Sequence, residues 1–443
     1  MKRYLTDESR RLECAKLHAQ TSLVMPEMQL VKVYPDIRHQ AVIGFGAALT
    51  EAAGCVFARM DAATRERFIE LCFGREGNRY SLARTSIQSC DFSLAPRAYV
   101  QEPDDVQLAS FSIEDDFAYV LPLALAAARE NPELELLASP WSPPAWAKTN
   151  ESMKHGGKLR KKHRATWARM IARYVAEYRA LGLNVTRITM QNEPQAVQIW
   201  ESCLFSGERE REFLSGFLKP ALREAGLDDV KVLGWDHNKE SALDRALELL
   251  ADPQAARELD GIAFHWYSGD HFEAMRAVRE LIGPERELVF SEGCDAFSAG
   301  DPAQELPHAE HYAREIIGDL EAGANGVFDW NILLDERGGP NHVDNFCDAP
   351  IMFDAGAGEM RVRLPFYYLG HFSRFIQRGA RHVLSTRYTT DLETCAFANP
   401  DGSFALVVLN RTDRAIPFAI ALGSSHRVVP TEAPAHSIQT IAW

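Results

Sequence analysis

A short, largely apolar run followed by an amphipathic stretch recurs eight times along this chain, and few architectures accommodate that alternation. The candidate strands are Ala41–Ala47, Tyr80–Ile87, Glu135–Ser139, Val185–Gln191, Val230–Trp235, Gly261–Trp266, Leu288–Ser291 and Gly326–Asn331. Apolar runs of this length suit parallel strands covered on both faces. Between them, stretches such as Phe117–Arg129, Thr166–Leu181, Glu208–Ala225 and Glu310–Ala322 carry helical periodicity. Eight strands alternating with helices predict an α/β fold of one kind, a closed (β/α)8 TIM barrel, rather than an open sheet.

Such a barrel takes about 250 residues and often more, so 443 residues leave room for one small further domain. From about residue 378 the pattern changes to β-rich runs, Thr394–Ala398, Phe404–Leu409, Phe418–Leu422 and Ser437–Ala442. They are separated by the turn signals Asn399-Pro400-Asp401-Gly402 and Gly423-Ser424-Ser425. A small side β-sandwich is expected there. The β-rich Met28–Tyr34 is expected to add a strand to it and so bring the two ends of the chain together. The expected division is a catalytic barrel over 41–375 and a side domain from 1–40 plus 376–443.

Charge excludes one class of partner. A net −14 is the wrong sign for a phosphate backbone. The basic run from Lys154 to Arg164 lacks the interleaved aromatics that stack on bases, and reads as a solvated loop. No nucleic acid is expected. No stretch approaches the 18 apolar residues of a membrane span, and the N-terminus carries no apolar core of a signal peptide. The eight cysteines are scattered, without paired spacing, and read as reduced thiols. A cytoplasmic protein is expected. Nothing in the chain marks an oligomeric state. Eight tryptophans suit a protein that stacks indoles on sugar faces, although tryptophan also fills cores.

In a barrel of this kind the chemistry sits at the C-terminal ends of the strands. The candidate strands run into Ser89-Cys90-Asp91-Phe92, Ser139-Pro140-Trp141, Gln191-Asn192-Glu193-Pro194, Trp235-Asp236-His237-Asn238, Phe264-His265-Trp266-Tyr267, Ser291-Glu292-Gly293 and Phe328-Asp329-Trp330-Asn331. Carboxylates, imidazoles, amides and indoles therefore share one rim. Cleaving a glycosidic bond requires two carboxyl groups flanking it, one to protonate the leaving oxygen and one to meet the anomeric carbon. Glu193 and Glu292 end the fourth and seventh strands, across the mouth from each other, and are the natural pair. Asn192 supplies an amide for a sugar 2-hydroxyl.

The motifs GFGAALT (44–50), SCDFS (89–93), SPWSPPAWAKTN (139–150), QNEP (191–194), HWY (265–267), SEGC (291–294) and GGPNHVDNFCDAPI (338–351) follow one another across the whole barrel. In this the chain resembles glycoside hydrolase family 30. The resemblance implies a retaining β-glycosidase with a side β domain and glucose favoured in the −1 subsite; the lack of a secretion signal favours an exo-acting enzyme on an imported small-molecule β-glucoside or oligosaccharide over one that digests an extracellular polymer. It implies Glu193 as acid/base and Glu292 as nucleophile. It implies that Asp91, Trp141, Asn192, Trp330 and Asn345 hold the −1 sugar, Trp330 as its floor. His265 and Tyr267 would contact or orient the catalytic pair, and Arg84 would orient carboxylates from behind. Asp236 and His237 on the same rim are supporting candidates. Endo-β-1,6-glucanases, β-xylosidases and β-fucosidases of the same family are the alternatives, and a barrel that binds sugar without cleaving it is a remote one.

Two departures stand out. Thr85-Ser86 follows Arg84 where lysosomal members carry an apolar residue and a proline, and QAVQIWESC after QNEP resembles bacterial members. The second segment shapes the mouth, so no aglycone preference carries over. No cofactor is expected and no metal, since the two-carboxylate mechanism needs none and no ligand spacing such as HExxH occurs. The mechanism carries two physical expectations: carboxyl groups about 5–5.5 Å apart, and a Glu193 pKa raised so that it begins protonated.

Overall fold

Eight parallel strands close into a barrel in the computed structural model, which describes residues 1–21, 29–423 and 427–443. Met28 of the expected N-terminal strand and the turn residues Ser424-Ser425 lie outside the described residues. The barrel strands are β1 (Gly44–Ala48), β2 (Leu82–Ile87), β3 (Glu135–Pro140), β4 (Val185–Thr189), β5 (Lys231–Asn238), β6 (Gly261–His265), β7 (Glu287–Glu292) and β8 (Gly326–Asp329). Each pairs in parallel with the next, and β8 closes on β1 with Gly326 opposite Gly44. β1 begins three residues later than the run Ala41–Ala47 indicates, because Ala41 ends a strand of the other sheet. In β1, Gly46 is required by close approach: a Cβ there would lie 1.7 Å from the Leu82 carbonyl oxygen.

Period-2 alternation sorts the strand side chains into layers. Near the strand starts, Arg187 pairs with Glu135 and Glu287, and Lys231 reaches Glu287 at 2.5 Å. Two residues on, Leu82, Leu137, Leu233, Ala263, Val289 and Phe328 form an apolar cluster. Two further on come Arg84, Ser139 and Ser291, with Thr189, two residues past Arg187, bonded to Ser139; all are buried. The intervening residues, among them Ala83, Leu136, Val232, Ile262, Leu288 and Val327, join the large core that includes the surrounding helices. Burying each large aliphatic chain contributes about 1.5–3 kcal/mol, and a layer that is apolar on both faces has no other stable place.

Two bulges break the alternation where the site begins. Between β5 and β6 the register skips Asp236, and between β6 and β7 it skips Ser291. Trp235 and Asp236 both have positive φ, 71° and 59°. A bulge re-aims side chains, and here it turns Asp236 toward the site while Trp235 packs outward against Arg245, whose guanidinium lies 4.9 Å from the indole.

The second sheet has ten strands in the order Glu13–Lys16, Lys2–Thr6, Ser437–Ala442, Phe404–Asn410, Leu392–Ala398, Arg381–Arg387, Leu30–Ala41, Ile416–Leu422, Arg427–Ala433 and Gln20–Thr21. It encloses its own core, including Val31, Val33, Val383, Leu406, Val408, Ile420, Val429 and Ile441. Both ends of the chain meet there, since Lys2–Thr6 pairs with Ser437–Ala442. The Asn399–Gly402 turn closes as its residue types dictate, with Gly402 at φ 85° and its N–H on the Asn399 carbonyl at 3.0 Å. Among the described residues no helix is long and apolar enough to cross a membrane.

Candidate active site

The loops after the strands bring the two glutamates together at the barrel mouth. Glu193 follows β4 and Glu292 ends β7; their side chains are 14% and 8% exposed. One oxygen of each carboxylate, together with a ring nitrogen of His265, falls within a set of atoms all within 4.8 Å of one another. Several residues at the strand ends hold left-handed backbone without being glycine: Gln88 at φ 68°, Glu193 at 46° and Asn331 at 67°. Such conformations cost roughly 1–3 kcal/mol each and cluster where a site is held in place by its surroundings.

Glu292 is held at both oxygens. Arg84 Nη1 donates to Oε2 at 2.5 Å and the Tyr267 hydroxyl to Oε1 at 3.0 Å. Arg84 also donates through Nη2 to Asn192 Oδ1 at 2.9 Å and to Asp236 Oδ2 at 3.0 Å. The Asn192 carbonyl is thus occupied, which leaves its amide protons for the cavity. Asp236 further accepts from Thr189 and Ser291 hydroxyls, each at 2.6 Å. Burial works against its charge, but Arg84, then His265 and Ser291, hold its carboxyl well below the usual range.

His265 sits between three carboxylates. Its Nε2 lies 3.1 Å from Asp236 Oδ1, and its Nδ1 lies 3.3 Å from Glu193 Oε1 and 3.7 Å from Glu292 Oε1. Burial disfavours the imidazolium, yet Glu292, Asp236 and Glu193 together push its pKa up to about 9. Glu193 responds in the opposite sense to the expectation above. Burial alone raises its carboxyl, but the hydrogen bond and charge of His265, with His237 Nε2 at 3.9 Å, outweigh that and lower it. In the free site the proton rests on His265. Asp91 goes the other way: burial and then Glu292 raise it to about 8, although Asn345 Nδ2 donates to it at 3.0 Å.

The walls are aromatic. Trp141 and Trp330 stack with centroids 5.3 Å apart, and the Arg84 guanidinium lies 5.0 and 5.5 Å from the two rings. The cavity holds about 360 Å³, within the ~300–1,000 Å³ of small-molecule sites. Of the residues singled out in the sequence, Asp91, Trp141, Asn192, Glu193, His237, Tyr267, Glu292, Trp330 and Asn345 line it. Arg84, Asp236 and His265 lie behind that wall and act on the glutamates. Asp329, on the same strand end as Trp330, turns away and accepts from the Tyr312 hydroxyl at 2.6 Å. Gln198, Trp200, Asn238, Cys294, Phe346 and Cys347 also line the cavity and were not singled out. Gln198 and Trp200 lie at alternate positions of the loop after Glu193, with Val197 and Ile199 facing out at 61% and 58% exposure. That alternation was the available signal. As for metals, Glu193, His265 and Glu292 are the one converging set among the described residues.

A (β/α)8 barrel with two largely buried carboxylates opposed under an aromatic wall has the make-up of a glycoside hydrolase. The chain belongs to glycosyl hydrolase family 30: that family's TIM-barrel domain matches residues 42–376 and its beta sandwich domain residues 379–441. It is 34% identical to lysosomal acid glucosylceramidase of Mus musculus over 433 residues, 94% of this chain and 83% of the relative. It is 27% identical to an endo-1,6-beta-D-glucanase of Neurospora crassa over 395 residues, 85% of this chain and 80% of that one. The crystal structure of SrfJ from Salmonella typhimurium superposes with a TM-score of 0.96 at 39% identity, covering 100% of this chain and 99% of the other. The protein is a glycoside hydrolase and thus an enzyme that acts on carbohydrate.

Proposed function

We propose that this hydrolase is a retaining, exo-acting β-glucosidase, glucosylceramidase-like in its −1 site, that cleaves small β-glucosides or oligosaccharides by double displacement. The observation that carries the reading is the carboxylate spacing: oxygens of Glu193 and Glu292 lie within 4.8 Å. Retaining enzymes use about 5–5.5 Å between the carboxyl groups, and inverting ones need about 6.5–9.5 Å to admit a water.

In this reading the sugar lies over Trp330, held by Asp91, Trp141, Asn192 and Asn345. Glu292, already ionised and aimed by Arg84 and Tyr267, attacks the anomeric carbon. Glu193 protonates the departing oxygen. Because Glu193 and His265 hold one proton between them, the proton passes from Nδ1 to Oε1 across 3.3 Å as the leaving oxygen gains charge. Glu193, ionised again, then takes a proton from the water that hydrolyses the glycosyl-enzyme. Product leaves with its configuration retained.

A panel of p-nitrophenyl β-glucoside, β-xyloside, β-fucoside, β-galactoside, β-glucuronide and α-glucoside tests this, with Glu292→Gln as control and the product anomer read by NMR. Release from the β-glucoside as the β-anomer, absent in the control, is the expected result. An initial α-anomer overturns the mechanism. The identity to an endo-1,6-glucanase favours a second reading, endo-β-1,6-glucanase action. Silence on the panel with cleavage of β-1,6-linked glucan would select it.

A further inference from the structure

We propose that Glu201 and His342 form a buried charged clasp that positions Asp91 and Asn345, the residues read above as holders of the −1 sugar. The inference rests on that reading. Neither residue lines the cavity, and neither has a part in the chemistry described so far.

The side chains of Glu201 and His342 are 0% and 7% exposed, with Oε2 and Nε2 3.3 Å apart. Glu201 Oε1 accepts from the Ser89 hydroxyl at 2.7 Å. On the far side of the imidazole, Nδ1 faces the Ser93 carbonyl at 2.8 Å. A carbonyl only accepts, so Nδ1 carries a proton; Nε2 and Glu201 Oε2, 3.3 Å apart, are both buried without another polar partner, and a proton on Nε2 gives each its counterpart. The geometry therefore calls for the imidazolium, and Glu201 supplies its counter-charge. Burial opposes that charge, but Glu201 and the Ser93 carbonyl prevail and raise the His342 pKa.

The contacts run Ser89–Glu201–His342–Ser93, and Asp91 is the middle residue between the two serines. The clasp thus pins the chain on either side of Asp91. His342 also precedes Asn345 by three residues in the loop after β8, and Asn345 Nδ2 donates to Asp91 Oδ2 at 3.0 Å. Glu201 itself comes from the loop after β4, eight residues past Glu193. Three loops from three strand ends are tied at one charged point behind the sugar-holding pair. Among other charged groups, Lys154 opposes protonation of His342, and Glu201 acts on Asp91 and on the buried Lys148.

Glu201→Gln keeps the shape and the Ser89 contact but removes the charge; His342→Gln removes it from the other side. Each is assayed on β-glucosyl fluoride, which has almost no aglycone, and on p-nitrophenyl β-glucoside, with 1-deoxynojirimycin as a −1 ligand and thermal unfolding as a control. Misplacing a substrate-holding group by about 1 Å costs up to ~100-fold, so each variant should lose at least about tenfold in kcat/KM, equally on both substrates. The inhibition constant should rise in parallel, and the double variant should lose no more than either single one. Wild-type kinetics, a loss confined to the p-nitrophenyl substrate, or single effects that multiply in the double variant would overturn the clasp. So would insolubility of both single variants, which would make the pair an element of folding. Inactivity of the wild type on both substrates would instead remove the glucosidase reading, and the clasp's role with it.

Discussion

The hydroxyl of Tyr267 donates to Oε1 of Glu292 at 3.0 Å, on the opposite oxygen from Arg84. A carboxylate fixed at both oxygens has one orientation, and in the proposed mechanism its attack on an anomeric carbon needs no search. Tyr267→Phe removes one of the two donors and leaves the ring. A hydrogen bond to a charged group contributes about 1.5–3 kcal/mol, so kcat/KM on an aryl β-glucoside should fall about 10- to 100-fold. Thermal unfolding should barely change, because the ring stays in place and Tyr267 is 42% exposed as a residue. A wild-type rate in this variant would mean that Arg84 alone orients Glu292.

The roles proposed for the two glutamates separate by leaving group. Glu193→Gln should spare much of the first step on 2,4-dinitrophenyl β-glucoside, whose leaving group needs little protonation, while nearly abolishing turnover of an alkyl β-glucoside. The wild type should show the same division in its pH profile. In the proposed mechanism Glu193 passes on a proton that His265 keeps below about 9; as pH rises through that value the proton is lost. The alkyl glucoside should therefore lose kcat/KM on the alkaline side, and the activated substrate should lose much less of it. Equal alkaline limbs for both would exclude His265 as the proton's resting place.

How much of this was legible beforehand follows from how each feature is encoded. The barrel and the meeting of the two glutamates at its mouth were, because apolar runs and strand-end residues are local properties of the chain. Arg84 was singled out by resemblance, yet Leu82-Ala83-Arg84 already places it one layer above an inward leucine, and Glu135-Leu136-Leu137-Ala138-Ser139 does the same for Ser139. The inward turn of Asp236 was not legible, since it depends on a bulge that interrupts that alternation. The protonation of the site is not legible in the sequence for a related reason. The burial and negative neighbour invoked for Glu193 are both present, but His265, cationic between three carboxylates, reverses their sum. A pairwise reading of strand ends does not supply that sum. Strands Arg381–Arg387 and Arg427–Ala433 carry charged and polar residues that mask their period.

The barrel's lower end offers a stability test. Arg187, 7% exposed, bridges Glu135 and Glu287 from the interior. Burial works against the Glu287 charge, but Arg187 and then Lys231 hold its carboxyl below the usual range. Arg187→Met leaves two carboxylates crowded with one flanking cation each, and should cost about 3 kcal/mol, the lower end for breaking a buried pair. With the arginine gone, neutralising Glu287 becomes favourable, so the deficit should narrow as pH falls through the carboxylate range. Urea denaturation at pH 7 and pH 4 measures both terms. A deficit that is the same at both pH values would show that lost packing, rather than unpaired charge, is the cause.

The junction of barrel and sandwich should be acid-sensitive through His371. This histidine, on the helix Leu364–Ser373, is fully buried between Thr440 on the last strand, at 2.9 Å from Nδ1, and Thr6 on the first, at 2.8 Å from Nε2. The Thr440 hydroxyl donates its only proton to the His371 carbonyl at 2.9 Å, so it accepts from Nδ1–H. Nε2 must then accept from Thr6, which itself accepts the Leu12 N–H at 3.0 Å. Every hydrogen bond is satisfied by the neutral ring, and a second ring proton would face a donor. Burial, with Arg374 adding to it, accordingly lowers the pKa to about 3 from the ordinary 6.5. The sign follows directly. Above pH 6.5 folded and unfolded chains are both neutral at this position and no penalty arises. Below it the unfolded chain binds a proton that the folded one refuses, so stability falls by about 1.4 kcal/mol per pH unit until His371 itself protonates. Replacing the ring by glutamine should lower stability at pH 7.5 by loss of packing, yet flatten the decline between pH 6 and pH 4 by about one proton's worth. Denaturation curves of wild type and His371→Gln across that interval should therefore converge. Parallel curves would mean that the ring is charged in the fold and that the hydroxyl network has been assigned in the wrong direction.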